Sequence, residues 1–239
     1  MYLLLFHSSL TEFSLIIYNF PSTDIIEFQK VRMTAVNESD ISRLLGPVLA
    51  SGSERVCVQN LENPLSCFKI SKFGPSRQTA REIEYFKFLK KRGVTSSFLP
   101  IFYDGYYYNG QLVIEQELIK DQPEEDLFAF RVEEFVGHAT ATQLEELQRY
   151  LRDLYKELTS KNIIICDLHA GNLMVYCDRE GRIKRLIVID GFGSPEAIPL
   201  AKYIPFFGRR KMERQWNKFK RTFVETLKRR GKESLEFNF

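Results

Sequence analysis

Three polar side chains in the second half of the chain have the types and spacing that magnesium-dependent phosphoryl transfer requires. Asp167 and Asn172 are separated by four residues, and Asp190 follows an apolar segment at 186–189 and precedes Gly191. This chemistry needs a carboxylate that orients the attacking hydroxyl and oxygen ligands for the metal. We therefore predict that Asp167 is the catalytic base and that Asn172 and Asp190 hold Mg²⁺. Either aspartate alone would be typical of an ordinary turn, but the three residues together favour a catalytic site.

A lysine in the first half of the chain is placed to bind the phosphates of a nucleotide. Lys69 lies in a predicted strand between Phe68 and Ile70, where a lysine is costly unless it is paired. Glu82, thirteen residues later, is predicted to pair with Lys69 and so to position the phosphates of ATP. Glu84 could take the same role, and a lysine that points from an edge strand into water is the alternative.

Two further segments contribute to the predicted ATP site. Gly52, in Ser51-Gly52-Ser53, would let the backbone approach a phosphate closely, although it is a single glycine. Glu117 and Ile119, at the end of a predicted strand, would offer backbone hydrogen bonds to adenine. The predicted cofactors are ATP and Mg²⁺. The predicted ATP-binding residues are Gly52, Lys69, Glu82, Glu117 and Ile119.

Turn residues and apolar periodicity predict the elements that position these side chains in the first half. Asn109-Gly110 is a strong hairpin signal, and apolar residues at a helical period predict a helix over 77–92. The predicted strands cover residues 45–50, 55–58, 67–70, 101–108 and 112–118. The first half is therefore expected to be a five-stranded antiparallel sheet with one helix.

The second half has a more helical pattern. Residues 142–161 carry a stripe of leucines with charges on the opposite face, which predicts a long helix. A short strand at 163–165 is expected to lead into the Asp167 segment. A hairpin at 173–176 and 185–189 follows, and a helix from about 209 to 230 closes the chain.

The net charge of +3 is unevenly distributed, because residues 202–232 contain twelve lysines and arginines and only two acids. Such a segment could bind nucleic acid or an anionic membrane. The favoured interpretation is an amphipathic helix that packs Trp216, Phe219 and Phe223 inward, because no aromatic RNA-binding motif accompanies the charges. No nucleic-acid partner is therefore expected.

The cysteines and the N-terminal residues indicate the cellular setting. None of the four cysteines forms a C-x-x-C pair, and no segment has the features of a secretory signal or a membrane span. We therefore expect a cytoplasmic protein with free thiols. Residues 1–37 are interpreted as an accessory segment, strand-like over 1–32, or as a misassigned start upstream of Met33.

The order of these parts resembles the protein-kinase-like fold, and three segments resemble the YrbL family of PhoP regulatory network proteins. These segments are residues 66–70, residues 81–85 and the stretch from 198–201 through 210–216, within a resemblance over about 40–225. The resemblance implies an α+β, two-lobed kinase-like domain at 38–239. Its N-lobe (38–119) would be a small antiparallel sheet with one helix, and its C-lobe (120–239) would be mainly helical.

Departures from the kinase pattern leave the acceptor open. Ile165 and Cys166 stand where kinases have His and Arg, and Gly191 stands where Phe follows the aspartate. The segment from Asp167 to Asn172 also resembles the D-L-H-x-G-N loop of antibiotic and choline phosphotransferases, in which His169 would lie near the γ-phosphate or orient the loop.

The expected function is an ATP- and Mg-dependent kinase-like phosphotransferase of the YrbL type, in a regulatory role. Its acceptor would be an unidentified protein or small molecule. Two alternatives remain at this stage: a non-catalytic kinase-like regulator, and a small-molecule kinase.

Overall fold

The computed structural model describes residues 3–9, 12–18, 38–74, 76–196 and 200–232. The chain divides into two units, Met1–Met33 and Thr34–Phe239. In the first unit, strands β1 (Leu3–Ser9) and β2 (Glu12–Tyr18) form an antiparallel hairpin. These are the strands expected within the accessory segment, and the rest of residues 1–37 lies outside the described part of the chain.

The described part of the second unit begins with helix α1 (Glu38–Leu44), which runs directly into a five-stranded antiparallel sheet. The strands of this sheet are β3 (Leu45–Ser51), β4 (Arg55–Asn60), β5 (Ser66–Ser71), β6 (Phe102–Tyr108) and β7 (Gln111–Glu117). Their order in the sheet is β3-β4-β5-β7-β6. The predicted five-stranded sheet is confirmed, whereas α1 has no counterpart among the predicted elements.

Local chemistry explains the hairpin and the helix of this half. Asn109 and Gly110 have φ angles of 47° and 72°, as a tight two-residue hairpin turn requires. Helix α2 (Arg77–Lys91) begins after Ser76, whose side chain accepts a hydrogen bond from the backbone of Thr79. A Cβ at Gly105 would lie 2.6 Å from Ile83, so strand β6 packs directly on this helix.

The rest of the second unit, where the structure describes it, combines four helices with a three-stranded antiparallel sheet of order β10-β9-β8. Its strands are β8 (Phe128–Arg131), β9 (Leu173–Cys177) and β10 (Ile183–Val188). Its helices are α3 (Val132–His138), α4 (Ala141–Ser160), α5 (Leu200–Tyr203) and α6 (Pro205–Arg229). The predicted β9–β10 hairpin is confirmed, and β8 and α3 were not predicted.

The two long helices follow their predicted apolar stripes. Five leucines of α4 are at most 1% exposed, and a capping box between Thr140 and Gln143 fixes the start of the helix. Helix α6 begins at Pro205, earlier than predicted, because proline is well tolerated in the first turn of a helix. Among the described residues, no helix is long and apolar enough to cross a membrane.

The strand predicted at 163–165 is wrong. These residues make only a single bridge, from Ile165 to Phe192. The backbone N–H groups of 163–165 donate instead to Leu158, to the hydroxyl of Tyr85 and to the sulfur of Met212. A segment whose donors are bound to a helix end and to side chains cannot form a ladder with a neighbouring strand.

Candidate active site

The Asp167 segment is held by its own side chains. Asn172 donates from Nδ2 to the backbone oxygen of Asp167 at 3.0 Å, and the same nitrogen lies 3.5 Å from Asp167 Oδ2. Residues Ala170–Asn172 form a 3-10 turn, and the buried Leu168 anchors the segment in the core. The Asp167 carboxylate is more than half exposed, so it faces solvent where an acceptor could approach.

His169 organises this segment through both ring nitrogens. Its Nδ1 accepts a hydrogen bond from the backbone N–H of Gly171 at 3.2 Å. That Nε2 lies 3.5 Å from Asp167 Oδ2. Of the two roles considered for His169, orientation of the loop by hydrogen bonds is the one that these contacts support.

Asp190 lies beside the Asp167 segment because Gly191 permits close packing. Gly191 has a φ of 85°, and a Cβ there would lie 2.9 Å from the backbone oxygen of Asp167 and 3.1 Å from its Cβ. The backbone N–H of Ile189 donates to the backbone oxygen of Asn172 at 2.9 Å. The three residues predicted to do the chemistry are therefore brought together, and the glycine after Asp190 has a steric reason.

Phe192 fills the apolar space next to the junction at which Gly191 packs on Asp167. It is 1% exposed and its ring lies 4.7 Å from that of Phe86 on α2. The hydroxyl of Tyr85, on the same helix, accepts the hydrogen bond from Ile164 at 2.6 Å. Helix α2 is thus fixed against the Asp167 segment by a ring contact and a buried hydrogen bond.

Two cations from the five-stranded sheet reach residues 189–191, the Asp190 segment. Lys69, on β5, donates from Nζ to the backbone oxygen of Ile189 at 2.6 Å. Arg55, on β4, contacts Asp190 Oδ1 through Nη2 and Glu82 Oε2 through Nη1, the latter at 2.8 Å. Arg55 is 7% exposed and Glu82 is 1% exposed, so this ion pair lies inside the protein.

The predicted ion pair between Lys69 and Glu82 is therefore wrong, because Glu82 pairs with Arg55. A guanidinium is a fork that can bond two carboxylates at once, whereas an ammonium is a single point charge. Glu84 is exposed, which removes it as the alternative partner. The alternative in which Lys69 points into water is also excluded, because its ammonium is bonded to Ile189.

These contacts set the charges of the site. Burial alone would raise the pKa of Asp190, but the charges of Lys69 and Arg55 outweigh it and hold that pKa below its usual value. Burial would lower the pKa of Arg55, yet Glu82 and Asp190 raise it further above its usual value. Burial raises the pKa of Glu82, with Arg55 opposing the rise. Asp190 is thus an anionic oxygen donor at neutral pH.

The face of the five-stranded sheet that carries Lys69 combines basic, thiol and amide side chains. Directly opposed residues of an antiparallel sheet point to the same face, and Lys69 is opposite Cys57 and Ile114, while Cys67 is opposite Gln116. Gln116 is 2% exposed, and its Oε1 has no hydrogen-bond partner among the described residues. The same face carries Arg55, Cys57, Cys67, Lys69, Ile114 and Gln116.

Sequence reasoning missed Arg55, the cysteine pair and Gln116 as residues of this face. A signal was present, since Arg55 and Cys57 are two residues apart and so share a face. The register that aligns them with Lys69 was not available from the sequence. Contact with Cys67 lowers the pKa of Cys57 to about 7, against the effect of burial and with help from Lys69 and Arg55.

The remaining predicted ATP-binding residues differ in how they are used. The backbone of Glu117 donates to Ile101, and its carboxylate pairs with Arg185, so Glu117 is engaged in the fold. Ile119 has no backbone hydrogen bond within the described residues and is free to bind a ligand. Gly52 lies in the exposed turn between β3 and β4, where an added Cβ would meet, among the described residues, only the backbone oxygen of Arg55, at 3.7 Å.

The donor set fits a hard cation that keeps water and phosphate ligands. In the described part of the chain, no group of three or more His, Cys, Asp and Glu residues is placed to hold a metal. Asn172 uses Nδ2 on Asp167, which leaves its Oδ1 available as a metal ligand, and no described residue donates a hydrogen bond to Asp190 Oδ2. Mg²⁺ commonly takes one or two protein oxygens and fills its other positions with water and phosphate.

The basic C-terminal helix packs as expected. Met212, Trp216, Phe219, Phe223 and Leu227 are buried in the core of the second unit. On the outer side of α6, a shallow concavity of about 550 Å³ is lined by Arg214, Asn217, Lys220 and Arg221. The amphipathic packing is confirmed, and the absence of a nucleic-acid partner stays a prediction.

Comparison with known proteins gives a match over most of the chain. A family model described as "PhoP regulatory network protein YrbL" matches residues 44–224, close to the predicted 40–225. Curated proteins named "Uncharacterized protein YrbL" from Escherichia coli (strain K12) and Shigella flexneri are each 26% identical to this chain over 189 residues. The aligned region covers 72% of this chain and 82% of each relative. The matched residues include the whole candidate site. Of the third segment that resembles the YrbL family, Ile198 and Pro199 lie outside the described residues.

Proposed function

The chain belongs to the YrbL family, and we propose that it is an ATP- and Mg-dependent phosphotransferase with a two-lobed kinase-like arrangement. In this arrangement the five-stranded sheet with α2 is the N-lobe, and the helices with the three-stranded sheet are the C-lobe. The observation that carries the proposal is the meeting of Lys69 and Arg55 from the sheet with Asp190, next to Asp167 and Asn172.

The charges at this junction suit a polyphosphate. Two cations and two carboxylates gather beside an amide oxygen, with Asp190 kept ionised by its neighbours. Lys69 bonds a backbone oxygen, so it can turn to a phosphate without leaving a carboxylate unpaired. When bound, Mg²⁺ would be held by Asn172 and Asp190 and would neutralise charge on the phosphates.

Asp167 is the residue that acts on the acceptor. Its exposed carboxylate accepts the proton of the attacking hydroxyl, while Asn172 and His169 hold it in place. Gln116 supports binding of a base under the sheet, because its buried Oε1 is an acceptor without a partner in the described chain. A buried acceptor of this kind is costly unless a ligand satisfies it, and the amino group of adenine is a suitable donor.

Two observations favour alternative functions. Arg55 already neutralises Asp190 in the protein alone, so a non-catalytic regulator that binds nucleotide is a second candidate. The segment Asp167-Leu168-His169-Ala170-Gly171-Asn172 favours a small hydroxyl compound over a protein as acceptor, by its resemblance to antibiotic and choline phosphotransferases.

The proposal is tested by binding and turnover measured on the same preparations. ATP with Mg²⁺ is expected to raise the melting temperature of the wild type and of Asp167→Asn. Transfer of labelled γ-phosphate to protein or to amino alcohols is expected to fall by about 10²–10⁴-fold in Asp167→Asn. Asp153→Asn, an exposed change on α4, is the matched control and should keep wild-type turnover.

Three results separate the candidates. No stabilisation by Mg-ATP would refute the site itself. Stabilisation without transfer to any acceptor would establish the non-catalytic regulator. Transfer that is unchanged in Asp167→Asn would show that another group takes the proton.

A further inference from the structure

Arg55 occupies a position between two carboxylates that come from different parts of the fold. One carboxylate is Glu82 on α2, and the other is Asp190, two residues after the end of β10. We propose that Arg55 is the positioning residue of the metal site: it fixes Asp190 so that one carboxylate oxygen is directed to the cation. This inference rests on the proposed function and concerns the geometry of its metal ligand.

The two oxygens of Asp190 are in different situations. Oδ1 is bonded by Arg55 and also accepts the backbone hydrogen bond of Gly191 at 2.7 Å. Oδ2 accepts no hydrogen bond in the described part of the chain, and the side chain is 33% exposed. Fixing Oδ1 at two points sets the rotation of the carboxylate, so Oδ2 is presented to the site as the metal donor.

Glu82 is joined to Asp190 through hydrogen bonds to Arg55. It is 1% exposed, its Oε2 bonds Arg55, and its Oε1 has no partner among the described residues. A buried carboxylate with a single bonded partner holds that partner firmly, because leaving would strand the charge. The link therefore runs from α2 through Glu82 and Arg55 to Asp190.

A lysine would make this link less rigidly, because its three N–H donors share one nitrogen at the end of a flexible chain. The guanidinium uses Nη1 for Glu82 and Nη2 for Asp190, which are two separate nitrogens of one rigid fork. Lys69 is meanwhile bonded to Ile189 and remains available for a phosphate. The sheet thus supplies two cations with two tasks, where the sequence indicated one.

The experiment measures Mn²⁺ binding by electron paramagnetic resonance in the presence of a saturating non-hydrolysable ATP analogue. The variants are Arg55→Met combined with Glu82→Gln, which removes both buried charges together, and Arg55→Lys. Loss of a residue that orients a metal ligand costs about 10–100-fold in metal affinity, and we expect this loss in the double variant. Arg55→Lys should show a smaller loss, because an ammonium keeps a positive charge and hydrogen-bond donors beside Asp190 but lacks the rigid fork of the guanidinium.

Arg92→Met is the matched control. Arg92 follows the end of α2 and bonds the backbone oxygens of Lys161 and Asn162, so its loss removes an arginine contact away from the site. Its Mn²⁺ affinity should equal that of the wild type. Hydrogen exchange of residues 188–193 gives a second measurement, and exchange there should be faster in the double variant and unchanged in the control.

The outcomes are distinct. Weaker Mn²⁺ binding with nearly unchanged binding of the metal-free analogue supports the inference. Mn²⁺ binding as tight as in the wild type, or tighter, would overturn it, since Arg55 would then be a bystander or a competitor of the cation. A wild type that binds neither the analogue nor Mn²⁺ would refute the proposed function and the inference with it.

Discussion

Replacing Gly191 with alanine measures how closely the Asp190 segment is packed on Asp167. The substitution has two costs that can be separated. The first is the left-handed backbone at φ 85°, which costs an L-residue about 1–2 kcal/mol. The second is the new methyl group, which would lie 2.9 Å from a backbone oxygen and so cannot be relieved by a side-chain rotation.

The matched control is Gly93→Ala. Gly93 has a φ of 65°, and an added Cβ there would meet no described residue within 4 Å. It therefore carries the backbone cost of about 1–2 kcal/mol without the collision. Overpacking adds about 1–3 kcal/mol, so Gly191→Ala is expected to destabilise the protein by about 2–5 kcal/mol.

Urea unfolding of the two variants and the wild type supplies the comparison, with melting of the nucleotide-bound protein as the functional measurement. Gly191→Ala should lose more stability than Gly93→Ala and should also weaken stabilisation by Mg-ATP, because the methyl group pushes Asp167 away from Asp190. Equal losses in the two variants, with equal nucleotide effects, would refute the packing described for this junction.

Two further predictions concern the sheet face above the site. Cys57 should be alkylated by iodoacetamide with a half-maximal rate near pH 7, because contact with Cys67 and the charges of Lys69 and Arg55 lower the pKa of its thiol. Mg-ATP should slow this alkylation, and a half-maximal rate near the usual pKa of a thiol would contradict the prediction. Gln116→Met should weaken ATP binding about 5–10-fold in calorimetry by removing one hydrogen bond, while Gln122→Met, outside this face, should not.

The sequence predicted elements well where local chemistry decides them. The turn at Asn109 and Gly110 and the buried leucines of α4 depend on backbone conformation and periodicity, and both were predicted correctly. Strand β8 was missed because it has only four residues and is stabilised by pairing with β9, which is distant along the chain. Residues 163–165 have a strand-like composition, but their backbone donors bind the end of α4, Tyr85 and Met212 instead of a neighbouring strand.

In the candidate site, too, the sequence predicted what local spacing decides and missed what depends on strand register. Asp167 and Asn172 are close in sequence, so their spacing already determines that they share a loop. The pairing of Arg55 with Glu82 depends on which strand lies next to β5 and on the reach of each side chain. Both lysine and arginine were chemically suitable, and only the register of β4 against β5 decides between them.

The attachment of α2 has a consequence for how such a site could be controlled. This helix is joined to the Asp167 segment by the buried bond from Ile164 to Tyr85 and by the contact of Phe86 with Phe192. Swinging the helix outward would break that bond, separate two rings and expose Glu82, so an open state would be rarely populated. If the chain is a phosphotransferase as proposed, the arrangement around Asp167 would be assembled before nucleotide arrives. Its activity would then be set by access of ligands to the site and by the amount of protein rather than by helix movement.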